Sequence, residues 1–314
     1  MKKIACIGVI TADVITRTVN EMPPYGTLKF VEENSIYLGG CAANAAAALA
    51  KLGIPVSLTC KVGADSFGDF AKNELERLGV ATDHIISDPS VTTSSSVVLI
   101  NGAGERTFLH NPSSNNALRE AEISDEILNE ADIIFIAGTF LMKSFDGAPC
   151  AALLQRAKAS GKYTVLDTAW DPTGRWFETL KPCLPLLDLF MPSYEEAVQL
   201  SNEYEPEKIA EFFISLSVKN AVIKLGKKGC YVRGQNGDSF YTPTYDFIKA
   251  LDTTGAGDSF CAGFLAALSM GWDFKECTKL GNAVGTHCIT AAGASAGIKS
   301  LEETLEFMKN NELS

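Results

Sequence analysis

Ala42-Ala43-Asn44-Ala45-Ala46-Ala47-Ala48-Leu49-Ala50-Lys51-Leu52-Gly53-Ile54-Pro55-Val56-Ser57-Leu58-Thr59-Cys60 reads as a helix, a stop and a strand. Alanine and leucine dominate Ala42 to Leu52 and carry high helix propensity. Gly53-Ile54-Pro55 ends that helix, and Val56 to Cys60 resumes as a short apolar strand. Upstream, Ile4-Ala5-Cys6-Ile7-Gly8-Val9-Ile10 is apolar without alternation, the pattern of a strand covered on both faces. Strand, helix and strand make one βαβ unit. Downstream, Phe67 to Leu78 reads as a helix ending at Gly79. Ile133 to Ala137, Tyr163 to Leu166, Leu187 to Met191 and Ala221 to Leu225 read as further buried strands, most of them separated by helical segments. This alternation predicts an α/β fold on a mostly parallel, doubly wound sheet.

Two segments break the rhythm. The chain from about 13 to 37 lacks helical periodicity and carries Pro23-Pro24 and Gly26. The chain from about 92 to 110 reads as a hairpin, with Ser96 to Ile100 and Arg106 to Leu109 flanking Asn101-Gly102-Ala103-Gly104. Together they predict a small β-sheet lid beside the main sheet. No internal repeat, low-complexity tract or linker interrupts the chain. The expectation is therefore one domain over residues 1–314 with a discontinuous lid.

Composition excludes several functions. A net charge of −11 with no basic block makes a nucleic-acid backbone an unfavourable partner. The nine cysteines are scattered and never spaced as C-x-x-C, and only three histidines accompany them. They read as buried, reduced thiols of a cytoplasmic protein rather than as zinc ligands or disulfides. The longest uncharged stretch, Leu280 to Ile298, contains asparagine, histidine, threonines and glycines and is too polar to span a membrane. Glycine, threonine and Asp13 interrupt the apolar run after Met1-Lys2-Lys3-Ile4 before it can form a signal peptide.

The chemistry concentrates in Asp252-Thr253-Thr254-Gly255-Ala256-Gly257-Asp258-Ser259-Phe260. Gly255 and Gly257 lie where a loop turns into a helix, and that helix adds the positive end of its macrodipole. The result is a cradle for an anionic oxygen cluster. Asp258 would repel the anion, yet it suits a proton leaving a hydroxyl that attacks a phosphoryl group held alongside. At a helix N-terminus it is expected to be ionised. The combination points to a kinase for a small alcohol.

This motif with Gly263 resembles the second signature of the ribokinase-like, or PfkB, carbohydrate kinases. Gly39-Gly40-Cys41-Ala42-Ala43-Asn44, followed by Lys61-Val62-Gly63-Ala64-Asp65 and Gly68, resembles the first, and the likeness covers nearly the whole chain. It implies a three-layer α/β/α fold with a β lid, and ATP with Mg2+ as phosphoryl donor. It implies that the Gly255-Ala256-Gly257 backbone stabilises the transferred phosphoryl group and that Asp258 is the general base. Asp13, Gly39, Gly40 and Asn44 would bind the sugar, with Arg106 on the lid strand as a further contact. Ser193-Tyr194-Glu195-Glu196 resembles the family's Asn-x-x-Glu motif with serine for asparagine, Glu196 holding magnesium through water. Lys224-Leu225-Gly226-Lys227-Lys228-Gly229 resembles the nucleotide-binding turn, where Ser193, Lys224, Gly226, Gly229 and Asn282 would contact ATP. Asp252 and Thr254 match a monovalent-cation site for K+, although Gly297 stands where ribokinase offers a serine oxygen. Asp167, Trp170, Asp171 and Trp176 form a loop near the expected cleft, without the Asn-x-x-Arg pattern of fructokinases.

The implied reaction is phosphorylation of a monosaccharide or sugar acid. A nucleoside kinase, with Tyr25, Phe30, Tyr37 and Phe108 available to sandwich a base, and an inactive sensor on the same scaffold are the alternatives. The resemblance also implies a homodimer through the lid.

Overall fold

The structure is a computed structural model and describes residues 1–313. In chain order its strands are β1 (Ile4–Gly8), β2 (Thr11–Arg17), β3 (Glu33–Gly39), β4 (Val56–Thr59), β5 (Lys61–Gly63), β6 (Ile86–Asp88) and β7 (Ser95–Ile100). They continue as β8 (Arg106–Asn111), β9 (Ile133–Thr139), β10 (Tyr163–Thr168), β11 (Leu189–Phe190), β12 (Asn220–Lys224), β13 (Cys230–Gly234) and β14 (Ser239–Thr242). The main sheet has the order β14-β13-β12-β11-β10-β9-β1-β4. From β4 to β12 every pair is parallel, whereas β12, β13 and β14 pair antiparallel.

Successive residues of a strand point to opposite faces, and here they feed two separate cores. Ile4, Cys6, Phe135, Val165, Leu189 and Val222 pack under the helices Cys41–Lys51, Ala256–Ser269 and Phe274–Cys288. Ala5, Ile7, Ile134, Ile136, Leu166 and Phe190 meet the helices Ala148–Ala159, Tyr194–Ser201 and Pro206–Ser215. Helices on both faces explain why these strands read as continuous apolar runs.

Strand β1 lies between β4, reached next in the main sheet, and β9, reached after it. Strand order reverses there, and the crevice at the carboxyl ends of such strands is where open α/β sheets bind ligands. The second sheet, β3-β2-β7-β8, emerges from that end. It draws on both segments read as the lid, while residues 18–32 between β2 and β3 stay outside it.

The hairpin β13–β14 has no counterpart in the sequence reading. Its signal was present, since Asn236-Gly237 between two short runs favours a tight hairpin turn. Gly237 has φ +92°, and Gly234 N–H donates to the Asp238 carbonyl at 2.8 Å. The strand read over Leu187 to Met191 shortens to Leu189–Phe190. Among the described residues, no helix is long and apolar enough to cross a membrane.

Candidate active site

The loop before the helix Ala256–Ser269 lies between the space under the lid and a larger cavity. Gly255 takes φ +75°, and a Cβ there would fall 2.4 Å from the Ala294 Cβ. Only glycine combines that left-handed turn with so close an approach. The first-turn N–H groups that follow, at Gly257 and Asp258, have no intrahelical acceptors. Asp258 lies in the same turn, and its Oδ2 accepts a 2.8 Å hydrogen bond from Asn44 Nδ2. Burial pushes its carboxyl up to about 7, against the Asn44 bond that pulls it down. The nearby Asp167 and Glu196 carboxylates raise it further, and Lys224 opposes them. The helix terminus therefore does not keep Asp258 fully ionised at neutral pH, as its position in the sequence suggested, because desolvation outweighs the dipole.

Asn44 sits in the helix Cys41–Lys51, which is buried all along Ala42 to Leu49. With Nδ2 committed to Asp258, its Oδ1 is left buried without a partner. Asp13, on β2, likewise has a buried Oδ1 with no partner. Burial raises its carboxyl above the usual range, while the Ser96 and Thr11 hydroxyls and His110 pull it down. Gly39 is required beside it, since a Cβ there would fall 2.0 Å from Asp13 Oδ2. Two buried acceptors without partners, Asp13 Oδ1 and Asn44 Oδ1, suit a ligand that brings hydroxyl donors.

The lid closes over Asp13. Pairing sets Asp13 beside Tyr37 and Ser96, and Ile15 beside Val98, on the inner face of the small sheet. Asp13, Tyr37, Gly39, Arg106, Phe108 and Thr254 line a space of about 30 Å³, the share of one water molecule. Arg106 crosses from β8 to the main domain, donating to Asp252 Oδ1 at 2.6 Å and to Thr254 Oγ1. Asp252 is 6% exposed, so this pair bridges the closed lid and the glycine loop largely out of water. Of the aromatic residues considered for a base sandwich, Tyr37 and Phe108 line the pocket, while Tyr25 and Phe30 stand fully exposed.

On the other side of the glycine loop lies a cavity of about 460 Å³. Tyr245, Ile248, Phe260 and Ile289 give it apolar walls, with Gly226, Gly229 and Asn282 among its lining. Its size and mixed lining suit a nucleotide. The Asn282 amide donates to the Pro243 carbonyl at 2.8 Å. Lys224, at the end of β12, lines the cavity but spends its ammonium on Asp167 Oδ2 at 2.7 Å. Burial alone would lower the Lys224 pKa, and the Asp167, Cys261 and Glu196 groups more than offset this.

Ser193 and Glu196 form a capping box at the start of the helix Tyr194–Ser201. Both hydrogen bonds to the Glu196 carboxylate fall on Oε2, from Ser193 N–H at 3.2 Å and Thr168 Oγ1 at 2.9 Å. That leaves Oε1 as an acceptor for water, the donor type that hydrated magnesium favours. Among the described residues no group of three or more His, Cys, Asp or Glu could cage a metal directly.

Asp167 and Thr168, adjacent at the end of β10, hold Lys224 and Glu196 respectively. Sequence placed Asp167 near the cleft without a role and did not single out Thr168. A polar pair closing an apolar strand was the available signal, because such ends face the ligand crevice.

The profile of the pfkB family carbohydrate kinases matches residues 1–301. A ribokinase of Haemophilus influenzae is 29% identical over 316 residues, covering 98% of this chain and 99% of that protein. A sugar kinase of Archaeoglobus fulgidus is 30% identical over 250 residues, covering 80% of this chain and 97% of its own. An E. coli ribokinase II, solved in complex with ATP and Mg2+, superimposes with a TM-score of 0.86 at 25% identity. That superposition covers 99% of this chain and 100% of the E. coli one.

Proposed function

This chain belongs to the pfkB family of carbohydrate kinases, and we propose that it phosphorylates a hydroxyl of a monosaccharide or sugar acid with Asp258 as general base. The observation that carries this reading is the hydrogen bond by which Asn44 orients the proposed base, with its own Oδ1 left unpartnered as is Oδ1 of Asp13. Asp13 and Asn44 accept hydroxyl protons of the sugar and turn one oxygen toward the glycine loop, with Gly39 and Gly40 allowing close approach. Asp258 takes the proton of that oxygen. The Gly255-Ala256-Gly257 backbone receives the phosphoryl oxygens, and proton loss comes late in such a loose transfer. Lys224, Ser193, Gly226, Gly229 and Asn282 would hold ATP, and Glu196 Oε1 would accept from water on a bound magnesium ion. Magnesium, when bound, supplies neutralisation of the phosphate charge. A closed space of about 30 Å³ is too small for a sugar, so the lid opens to admit substrate and closes to exclude water.

ADP formation from MgATP across pentoses, hexoses, 2-keto-sugar acids and nucleosides tests the assignment, with Asp13→Asn beside the parent chain. One responding sugar, whose kcat/KM falls on the order of 10- to 100-fold in Asp13→Asn through one weakened charge-assisted hydrogen bond, supports it. Turnover of nucleosides alone would overturn it.

The residues present do not fit a resident potassium ion. Asp252 already accepts from Arg106, Thr254 N–H and Gly293 N–H, and Cys288 Sγ donates to the Thr254 carbonyl at 3.3 Å. Gly297 adds no side-chain oxygen. The Arg106 guanidinium serves as the fixed cation instead. Replacing K+ by tetramethylammonium is expected to leave kcat within about twofold, and Arg106→Ala to lower it and make it respond to K+. Strong K+ activation of the parent chain would sink this assignment.

The outer lid face carries Ile36, Val14, Val97 and Leu109 in register across all four strands. Leu109 is 57% exposed and Ile36 and Val97 more than a third, an apolar row that a second copy of the chain would cover. Sedimentation is expected to show a dimer that Val97→Lys dissociates; a parent chain that stays monomeric at high concentration refutes it.

A further inference from the structure

The side chain that fixes Lys224 has no role in the reaction as described so far. Asp167 is 1% exposed, and its Oδ2 takes both the Lys224 ammonium at 2.7 Å and the Cys261 thiol at 3.4 Å. Cys261 belongs to the helix of the glycine loop. A Cβ on Gly257 would lie 3.4 Å from Lys224 Nζ, so the ammonium rests against the loop itself. Three elements thus converge on one charge: the ends of β10 and β12 and the first turns of the helix Ala256–Ser269.

A lysine on a four-carbon stem loses about 2 kcal/mol of rotamer entropy when fixed, and it goes where the carboxylates are. Asp258 and Glu196 are the rival acceptors, since both interact electrostatically with Lys224. A lysine paired with Asp258 would compete for the oxygens that take the proton. A lysine paired with Glu196 would compete with the magnesium hydration shell. Asp167 is better placed than either, being deeper and already in contact.

We propose that Asp167 is a positioning residue, holding the Lys224 ammonium beside Gly257 in the wall of the nucleotide cavity, where it meets the terminal phosphoryl group. The proposal rests on the reading of Lys224 as a phosphate contact. It assigns Asp167 no contact with substrate: the carboxylate acts through the lysine, and it keeps that lysine off the base.

The test is calorimetric titration of the full chain with MgATP and, separately, MgADP. The ratio of the two affinities reports contact with the terminal phosphoryl group, and loss of general stability does not move it. Lys224→Met is expected to reduce the preference for MgATP about tenfold or more, the worth of one charge-assisted hydrogen bond. Asp167→Asn should reproduce that loss, and the double variant should be no worse than the worse single one. Asp167→Glu should recover part of the preference. If Lys224→Met leaves the ratio unchanged, the parent reading of Lys224 fails and the proposal fails with it. If Lys224→Met collapses the ratio while Asp167→Asn preserves it, or if the two losses add, the lysine needs no positioning and the proposal alone is overturned. Should Asp167→Asn not fold, because it strands a buried ammonium, Asp167→Glu decides: a partial loss supports the proposal and an unchanged ratio overturns it.

Discussion

Asp258→Asn is expected to lower kcat by on the order of 10²- to 10⁴-fold, the range of a positioned general base, with MgATP affinity nearly unchanged. Asparagine keeps the shape and the contact with Asn44 but cannot take the sugar proton. The same carboxyl sets the pH profile. With its pKa pushed up to about 7 by burial, the fraction able to accept a proton falls tenfold per pH unit below that value. The parent kcat/KM should therefore decline below about pH 7 and level off above it. A profile flat to pH 5 would show that Asp258 is not the group that titrates. Stability runs the opposite way. A carboxyl whose folded pKa exceeds its unfolded one stabilises fully below the unfolded pKa, and that contribution is lost as pH rises through about 7. At pH 8 the parent chain holds a poorly solvated charge that Asp258→Asn removes, so the variant should melt no lower, and expectedly higher, than the parent. Loss of activity with gain of Tm would separate a catalytic role from a structural one.

How much of this was legible in the sequence depended on the range of the interaction. Strand runs such as Ile4 to Ile10 announced themselves because burial on both faces leaves no polar residue to blur the pattern. The glycine loop was legible because backbone geometry demands glycine locally. The pairing of Asn44 with Asp258 spans 214 positions in the chain, and no local pattern encodes it. Sequence placed Asn44 against the sugar; the fold spends its amide on the base and leaves only the carbonyl oxygen open. Arg106 and Asp252 were each noticed and given separate ligands, yet they meet each other across 146 positions. Asp167 and Lys224 are a third case of the kind. Periodicity reports which face is buried, whereas charge partners are chosen by the crossing of elements, which becomes visible only once the sheet order is known. The Asn236-Gly237 hairpin is different, since its signal was local and went unread.

Gly255→Ala should be the most damaging change that removes no functional group. At φ +75° an alanine meets its own carbonyl unfavourably. Its Cβ would also press the Ala294 Cβ at 2.4 Å and its Cα at 2.9 Å, backbone that cannot yield as a flexible side chain would. The cheapest relief is rotation of the loop, which swings the Gly257 N–H away from the phosphoryl group it is proposed to receive. Removing one such donor costs on the order of 10²- to 10³-fold in kcat, and a misplacement of about 1 Å costs on the order of 10²-fold. The expected result is a kcat reduced at least about a hundredfold, with the sugar KM little changed, because Asp13 and Asn44 lie on β2 and on the helix Cys41–Lys51. Ala294→Gly discriminates the two sources of damage. Opening that side relieves the contact with Cβ but leaves the left-handed strain, so Gly255→Ala/Ala294→Gly should recover only part of the loss. Full recovery would mean that the clash with the Ala294 Cβ alone disables the loop, and no recovery that φ and the remaining backbone contact with Ala294 do. An unimpaired Gly255→Ala would remove the glycine loop from the catalytic machinery altogether.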